Sequence, residues 1–326
     1  MQITQTANKP GVIDTLSAGF DSINRRPWLM LVPVLVDLLM WRGPHITALP
    51  LFQRLLALYQ GPGFVAPNGQ RFEELQQTAE AAVAGFNMLS LLVLNFVASV
   101  PTTTTGRPED TPFVIAITSE VTFAALFVLL QLAGILLGCV YFGLIAQQVR
   151  DGRIDAGHLF AKLWSYFADV VVYALIVLGA IVALALPLSL LLVGGLFLGG
   201  SAANFALALA AAIVYMIGVW ALLFLFFVVD AIVVSEVRAP RAILNSVLVV
   251  GRNFWSALAL IALTLVILTG TQIIWSSLSD STWGVVAGIV GNAYIASGLA
   301  AASMLFYQTR LAGLERDGKL ERFLRR

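Results

Sequence analysis

Charged side chains are missing from four long stretches of the chain: Glu120 to Arg150, Asp169 to Asp230, Arg252 to Asp280, and Asp280 to Arg310. About 20 apolar residues in a helix cross a hydrocarbon core of about 30 Å. Each stretch holds one such helix, and the Asp169–Asp230 stretch holds two. In lipid every backbone N–H and C=O must be paired within the protein, so only helices or closed barrels span. Barrel strands alternate apolar and polar residues, and the run from Val170 to Leu186 does not. The pattern predicts an all-α transmembrane bundle with spans at about 27–42, 119–148, 167–195, 203–233, 253–276 and 284–308. Short links, Gly199-Gly200-Ser201-Ala202-Ala203 and the turn around Asp280, pair the later helices, giving three hairpins in all. The first span is short: fifteen residues separate Arg26 from Arg42, about 22 Å of helix, which suffices only if the arginines snorkel.

The basic residues orient these spans. With the N-terminus inside, fifteen of the nineteen Lys and Arg fall on the cytoplasmic side, as the positive-inside rule requires. A second short apolar run at 85–100 competes with the first helix. If it also spanned, there would be seven helices and the N-terminus would lie outside, with the same charge count. Asn87, Ser90, Asn95 and Ser99 give that run a polar side, which fits an interfacial or re-entrant helix. Residues 43–118 then form an external cap on a single membrane domain covering 1–326. The cap is too small for an independent core.

Composition narrows the chemistry. Charged residues make up 11% of the chain, against about 25% in soluble domains, so a soluble enzyme is excluded. The net charge of +1 offers no footprint for nucleic acid. The single cysteine, Cys139, sits in an apolar run and reads as a packed hydrophobe. His45 and His158 fall on opposite sides of the membrane, so no haem or zinc site forms and no cofactor is expected. Residues 1–26 lack an apolar core, so the first apolar run is expected to serve as an uncleaved signal. Gly199-Gly200-Ser201 has no histidine to act as base for a serine nucleophile.

Ionisable groups inside the membrane are the remaining functional candidates. Asp37 lies within reach of water or Arg42. Glu120 and Asp169 lie at helix mouths, where a carboxylate suits the positive helix end. Asp230 is expected to pair with Arg238 or Arg252, or else to serve transport. Gln131, on an apolar helix, reads as a hydrogen bond to a neighbouring helix. Gly134 and Gly138 form a G-x-x-x-G that allows close helix approach.

Three segments share one plan, a short amphipathic stretch leading into a span: Leu16 to Trp28, Leu159 to Phe167, and Ile243 to Trp255. The first ends Arg25-Arg26-Pro27-Trp28 and the third Arg252-Asn253-Phe254-Trp255. Either they are internal repeats, or they reflect the general liking of inside-starting helices for Arg and Trp. The stretch from Val233 to Leu258, with Glu236, Ala242, Ser246, Gly251 and Trp255, resembles the membrane domain associated with some glycerophosphodiester phosphodiesterases and similar stand-alone six-helix bacterial membrane proteins. The resemblance implies an architecture. The enzymes' soluble catalytic domain is absent here, so no catalytic residue carries over.

The expectation is therefore a non-enzymatic, multi-pass protein of the bacterial plasma membrane, with both termini cytoplasmic. It would act as a scaffold, accessory subunit or membrane-organising factor, with the lipid bilayer and other membrane proteins as partners. The alternative is a small-molecule or lipid transporter with a cavity between hairpins.

Overall fold

A computed structural model describes residues 10–59, 69–93, 113–198, 200–279 and 281–316. In chain order its helices are α1 (Val12–Asn24), α2 (Leu31–Arg42), α3 (Leu49–Tyr59), α4 (Gly69–Gly85), α5 (Glu120–Asp151), α6 (Ala156–Leu198), α7 (Gly200–Leu225), α8 (Val228–Ser235), α9 (Ala239–Arg252), α10 (Phe254–Leu278) and α11 (Thr282–Arg316). Two three-residue strands, β1 (His45–Thr47) and β2 (Val114–Ala116), pair in parallel. The protein is an all-α membrane-spanning bundle. Five stretches among the described residues are long and apolar enough to cross a membrane: Glu120–Asp151, Ala156–Gly195, Ala203–Ser235, Phe254–Leu278 and Thr282–Arg316. These are the last five of the six expected spans. Apolar runs with no charge leave the backbone no solvent to bond with, so each closes its own helical ladder.

The first expected span takes a different form. Pro27–Met30 is a 3-10 turn and α2 has 12 residues, about 18 Å of helix. Pro27 has no N–H to continue a helix from α1, so the chain breaks there and restarts.

The chain divides into two compact units. One comprises Met1–Arg25, Phe142–Leu265 and Gly298–Arg326, the other Arg26–Tyr141 and Val266–Ser297. The helices α5, α10 and α11 each contribute residues to both.

In the second unit, residues of the expected external cap share a core with Met40 of α2 and Leu130 of α5. Met40, Ile46, Met88, Leu89, Leu91, Leu92, Val93, Ile117 and Leu130 are buried together. Asn87 organises it. Its Oδ1 accepts from the N–H groups of Ile46 (3.0 Å) and Leu89 (3.1 Å), and its Nδ2 donates to the Pro44 carbonyl (3.1 Å). The β1–β2 ladder ties His45 to Val114 and Thr47 to Ala116. The described part of the 85–100 run belongs to this core. Met88–Leu92 is a buried 3-10 turn, and the rest of that run lies outside the described residues. Of its polar residues, Asn87 and Ser90 are buried, Asn87 on backbone partners, while Asn95 and Ser99 lie outside the described residues. Gly134 admits this turn: a Cβ would come within 2.9 Å of the Leu91 and Leu92 carbonyl oxygens.

In the first unit, α6 and α7 form a hairpin. Gly200 takes a left-handed conformation at the turn (φ +55°), which glycine adopts without steric cost. None of the apolar window of α6 is buried within the protein, so this side is left for lipid. At 43 residues the helix is about 64 Å long and continues past any bilayer. It absorbs the Leu159–Phe167 segment, whereas the other two such segments form separate helices, α1 and α9. The α1 helix seats on α11 through small residues: a Cβ on Gly19 would lie 2.6 Å from the Ala302 nitrogen and the Gly298 oxygen.

Candidate functional site

The densest charged cluster is built on Glu236, the residue that ends α8. Its backbone is left-handed (φ 52°, ψ 35°), a conformation that costs a non-glycine residue about 1 kcal/mol. Glycine is the usual occupant of that position at a helix end. What the glutamate adds is its carboxylate. Oε1 accepts from Arg150 Nη1 at 2.6 Å, His158 Nε2 at 2.8 Å and the Tyr166 hydroxyl at 3.2 Å. Oε2 meets Lys162 Nζ at 3.0 Å. Arg150 is further held by Asp151 at 2.9 Å. Burial pushes the Glu236 carboxyl pKa up, but hydrogen bonds from His158, Arg150 and Lys162 outweigh it and hold the value at about 2. The cluster pins the end of α5, the first turns of α6 and the end of α8 to one another. Its donors engage both carboxylate oxygens, three on Oε1 and Lys162 on Oε2.

The loop that follows is fixed in the same manner. Arg238, the residue before α9, makes no side-chain cap. Asp169, well inside α6, supplies one from outside: its Oδ1 accepts from the Ala239 N–H at 3.1 Å. The carboxylate thus serves the positive end of another helix rather than its own. Ser246 reaches from α9 into the break between α7 and α8. Its Oγ donates to the Phe224 carbonyl at 2.7 Å and accepts from the Phe227 N–H at 3.2 Å. Both backbone groups are released by the break, and in an apolar setting each would otherwise be costly. Phe227 then stacks on Phe306, ring centroids 5.4 Å apart.

Asp230 is buried and hydrogen-bonded by the Ser303 hydroxyl. Among the described residues it forms no ion pair with Arg238 or Arg252, which are both exposed. The α9 geometry explains this. Both arginines sit outside the buried stripe of Ala239, Ala242, Asn245, Ser246, Val249 and Val250. About one helical turn along, the Tyr307 hydroxyl bonds Ser235 Oγ at 3.0 Å and accepts from Asn245 Nδ2 at 3.3 Å.

The five positions of the family-like motif separate into three roles. Glu236 is the charge hub. Ala242 and Ser246 are fully buried contacts. Gly251 and Trp255 face outward, with Trp255 78% exposed. Sequence reasoning missed Arg150, His158, Lys162 and Tyr166 as partners of Glu236. A signal existed: His158, Lys162 and Tyr166 repeat at three to four residues, the spacing of one helix face.

In the second unit, Asp37 is buried rather than beside water, while Arg42 packs over the neighbouring Trp41 ring at 4.4 Å. With Tyr141 it lines a cavity of about 30 Å³ whose other walls are Val32, Pro33, Val36, Leu92, Val93, Leu137 and Gly138. The Tyr141 hydroxyl pairs with Ser297 Oγ at 2.8 Å. Gln131 also belongs to this unit, whereas Asp230 belongs to the first. Of the two histidines, His45 bonds the Ala84 carbonyl in the second unit at 3.1 Å, and His158 is in the Glu236 cluster. The buried thiol of Cys139 is free.

No protein-family model matches this chain, and neither curated proteins nor solved structures yield a match.

Proposed function

We propose that this protein is a non-enzymatic scaffold, accessory subunit or membrane-organising factor of the bacterial plasma membrane, with both termini in the cytoplasm. One observation carries this reading: Glu236, Asp169 and Ser246, which join the helices of the first unit, are spent on fixing helix ends. Glu236 closes α8, Asp169 caps α9, and Ser246 fills the α7–α8 break. Such an arrangement supports a rigid platform. The loose likeness of the Glu236–Trp255 stretch to a membrane domain that accompanies enzymes, rather than performing their chemistry, points the same way. Extraction in mild detergent, followed by identification of co-purified proteins, tests it. A reproducible membrane-protein partner is expected, and a chain that always purifies alone would count against the reading.

A transporter is the second reading, and Asp37 favours it. A buried carboxylate at a cavity of about 30 Å³ has room for about one water molecule. That suits a proton or a small desolvated cation, not an organic solute. Under this reading, Asp37→Asn or Asp230→Asn abolishes uptake in vesicles. Under the scaffold reading both variants change stability alone. Topology is tested by Leu75→Cys in a Cys139→Ser background, which should label from outside the cell.

A further inference from the structure

The α9 helix joins two spans at the same end. The Ala203–Ser235 span closes just before it, and the Phe254–Leu278 span opens just after. A 14-residue helix tethered at both ends to span termini lies at the lipid–water boundary. Its buried stripe is turned to the protein. Counting at 100° per residue, Pro240, Leu244, Val247 and Gly251 lie on the opposite face, and all four are exposed. That outward face is apolar, and the exposed Trp255 follows it in the first turn of α10. On one flank, Arg241 and Arg252 stand three helical turns apart, both exposed, with exposed Arg238 at the helix start. None of the three makes an ion pair among the described residues. The chain from Val237 to Ser279 carries no acidic residue, and the carboxylate that does reach α9, Asp169, sits on the Ala239 N–H at the Arg238 end.

A soluble surface would not leave an apolar strip beside three unpaired cations. An in-plane interfacial helix does, because its apolar face dips below the headgroups while its cations meet anionic ones. We infer that α9 is a docking face for anionic phospholipid, with the strip Leu244–Val247–Trp255 in the acyl boundary and Arg238, Arg241 and Arg252 on the headgroup phosphates. The α1 helix argues that this is specific to α9. Placing Trp28 on Trp255 sets the buried Thr15, Gly19 and Ile23 over the buried Ala242, Ser246 and Val250. Yet Asp14 then falls on Arg241, Ser17 on Leu244 and Asp21 on Leu248. Over three matching buried positions, then, α1 carries acidic and polar residues where α9 has Arg241, Leu244 and Leu248, although Arg25 falls on Arg252 and Phe20 on Val247. The inference supplies the lipid side of the platform proposed above and rests on that reading.

The test uses the full chain in vesicles of phosphatidylcholine with and without phosphatidylglycerol. An environment-sensitive fluorophore is placed at Val247→Cys, and separately at Ser17→Cys, both in Cys139→Ser. The 247 label should be apolar and quenched by lipid-borne quenchers, and the 17 label should report water. The phosphatidylglycerol retained around the purified protein should fall about fivefold per arginine in Arg241→Gln and Arg252→Gln, and less as salt rises. Asp14→Asn/Asp21→Asn should leave it unchanged. A 247 label as wet as the 17 label overturns the inference. So does a 247 label shielded from lipid quenchers, which would mean a protein partner. Unchanged lipid retention in the glutamine variants overturns it too. Loss of co-purified proteins with lipid retention intact would instead sink the platform reading alone.

Discussion

The helices α1 and α9 solve the same problem with different chemistry. Each is amphipathic, each is followed by a break and an exposed tryptophan, and each buries residues at matching positions. At the shared centre of the stripe, α1 has Gly19 and α9 has Ser246. Gly19 lets backbone lie on backbone at α11. Ser246 instead replaces two hydrogen bonds that a broken span has lost. One seat is held by close approach, the other by polar repair. The same register therefore says where a helix docks, while the residue at its centre says what it docks on.

The largest effect should come from filling the α1 seat. Gly19→Leu drives side-chain atoms into the Ala302 backbone and should cost about 3 kcal/mol, or release α1 altogether. The thermal midpoint in detergent would report the first, and protease cleavage near Asn24 the second. If α1 held firm, close approach would not be what seats it. Next is Glu236→Gln, which leaves Lys162 without its carboxylate and Arg150 with Asp151 alone, and should cost about 2 kcal/mol. Its pH signature is separate. A carboxyl held at about 2, against about 4.3 in an unfolded chain, stabilises fully above the higher value. That contribution is lost as pH falls through the interval. The wild-type midpoint should drop across that range, and Glu236→Gln should lose this part of the slope.

Smaller still is Ser246→Ala, which orphans the Phe227 N–H and the Phe224 carbonyl and should cost about 1–2 kcal/mol. Ser246→Gly should cost at least as much, because nothing in α9 depends on close approach there. A tolerated glycine would collapse the contrast with α1. Least is Asp169→Ala, the loss of one helix cap, at about 1 kcal/mol. Hydrogen exchange of the first turn of α9 should rise with it.

Much of the fold is legible in the charge gaps, because absence of charge over 20 residues has few physical meanings. The later spans appear within a few residues of their expected places where both ends are marked by charge. The exceptions are the start of α6, at Ala156 rather than near 167, the end of α11, at Arg316 rather than near 308, and the break after Leu225 inside the expected 203–233 span. Polar residues do not stop a helix that has a side to bury, and His158, Lys162 and Tyr166 have Glu236 to face. What the pattern does not carry is pairing between distant segments. The β1–β2 ladder joins residues about 70 apart, and neither strand is long enough to alternate visibly. The Glu236 cluster draws Arg150 from 86 residues away. Asp230 misled for a related reason. Proximity in sequence to Arg238 and Arg252 suggested a pair, but helix phase turns those arginines outward while a serine from α11 reaches in.

The seating of α1 also sets a schedule. Its partners, Gly298 and Ala302, are made about 280 residues after Gly19. At about 5–20 residues per second, the ribosome needs roughly 15 s to a minute to supply them. Throughout that interval the apolar stripe of α1 has no permanent place to go, and it waits as a ready target for a chaperone, an insertase or the wrong neighbour. Slowing translation anywhere between Gly19 and Ala302 should therefore lengthen that wait and harm this protein more than slowing it after Ala302.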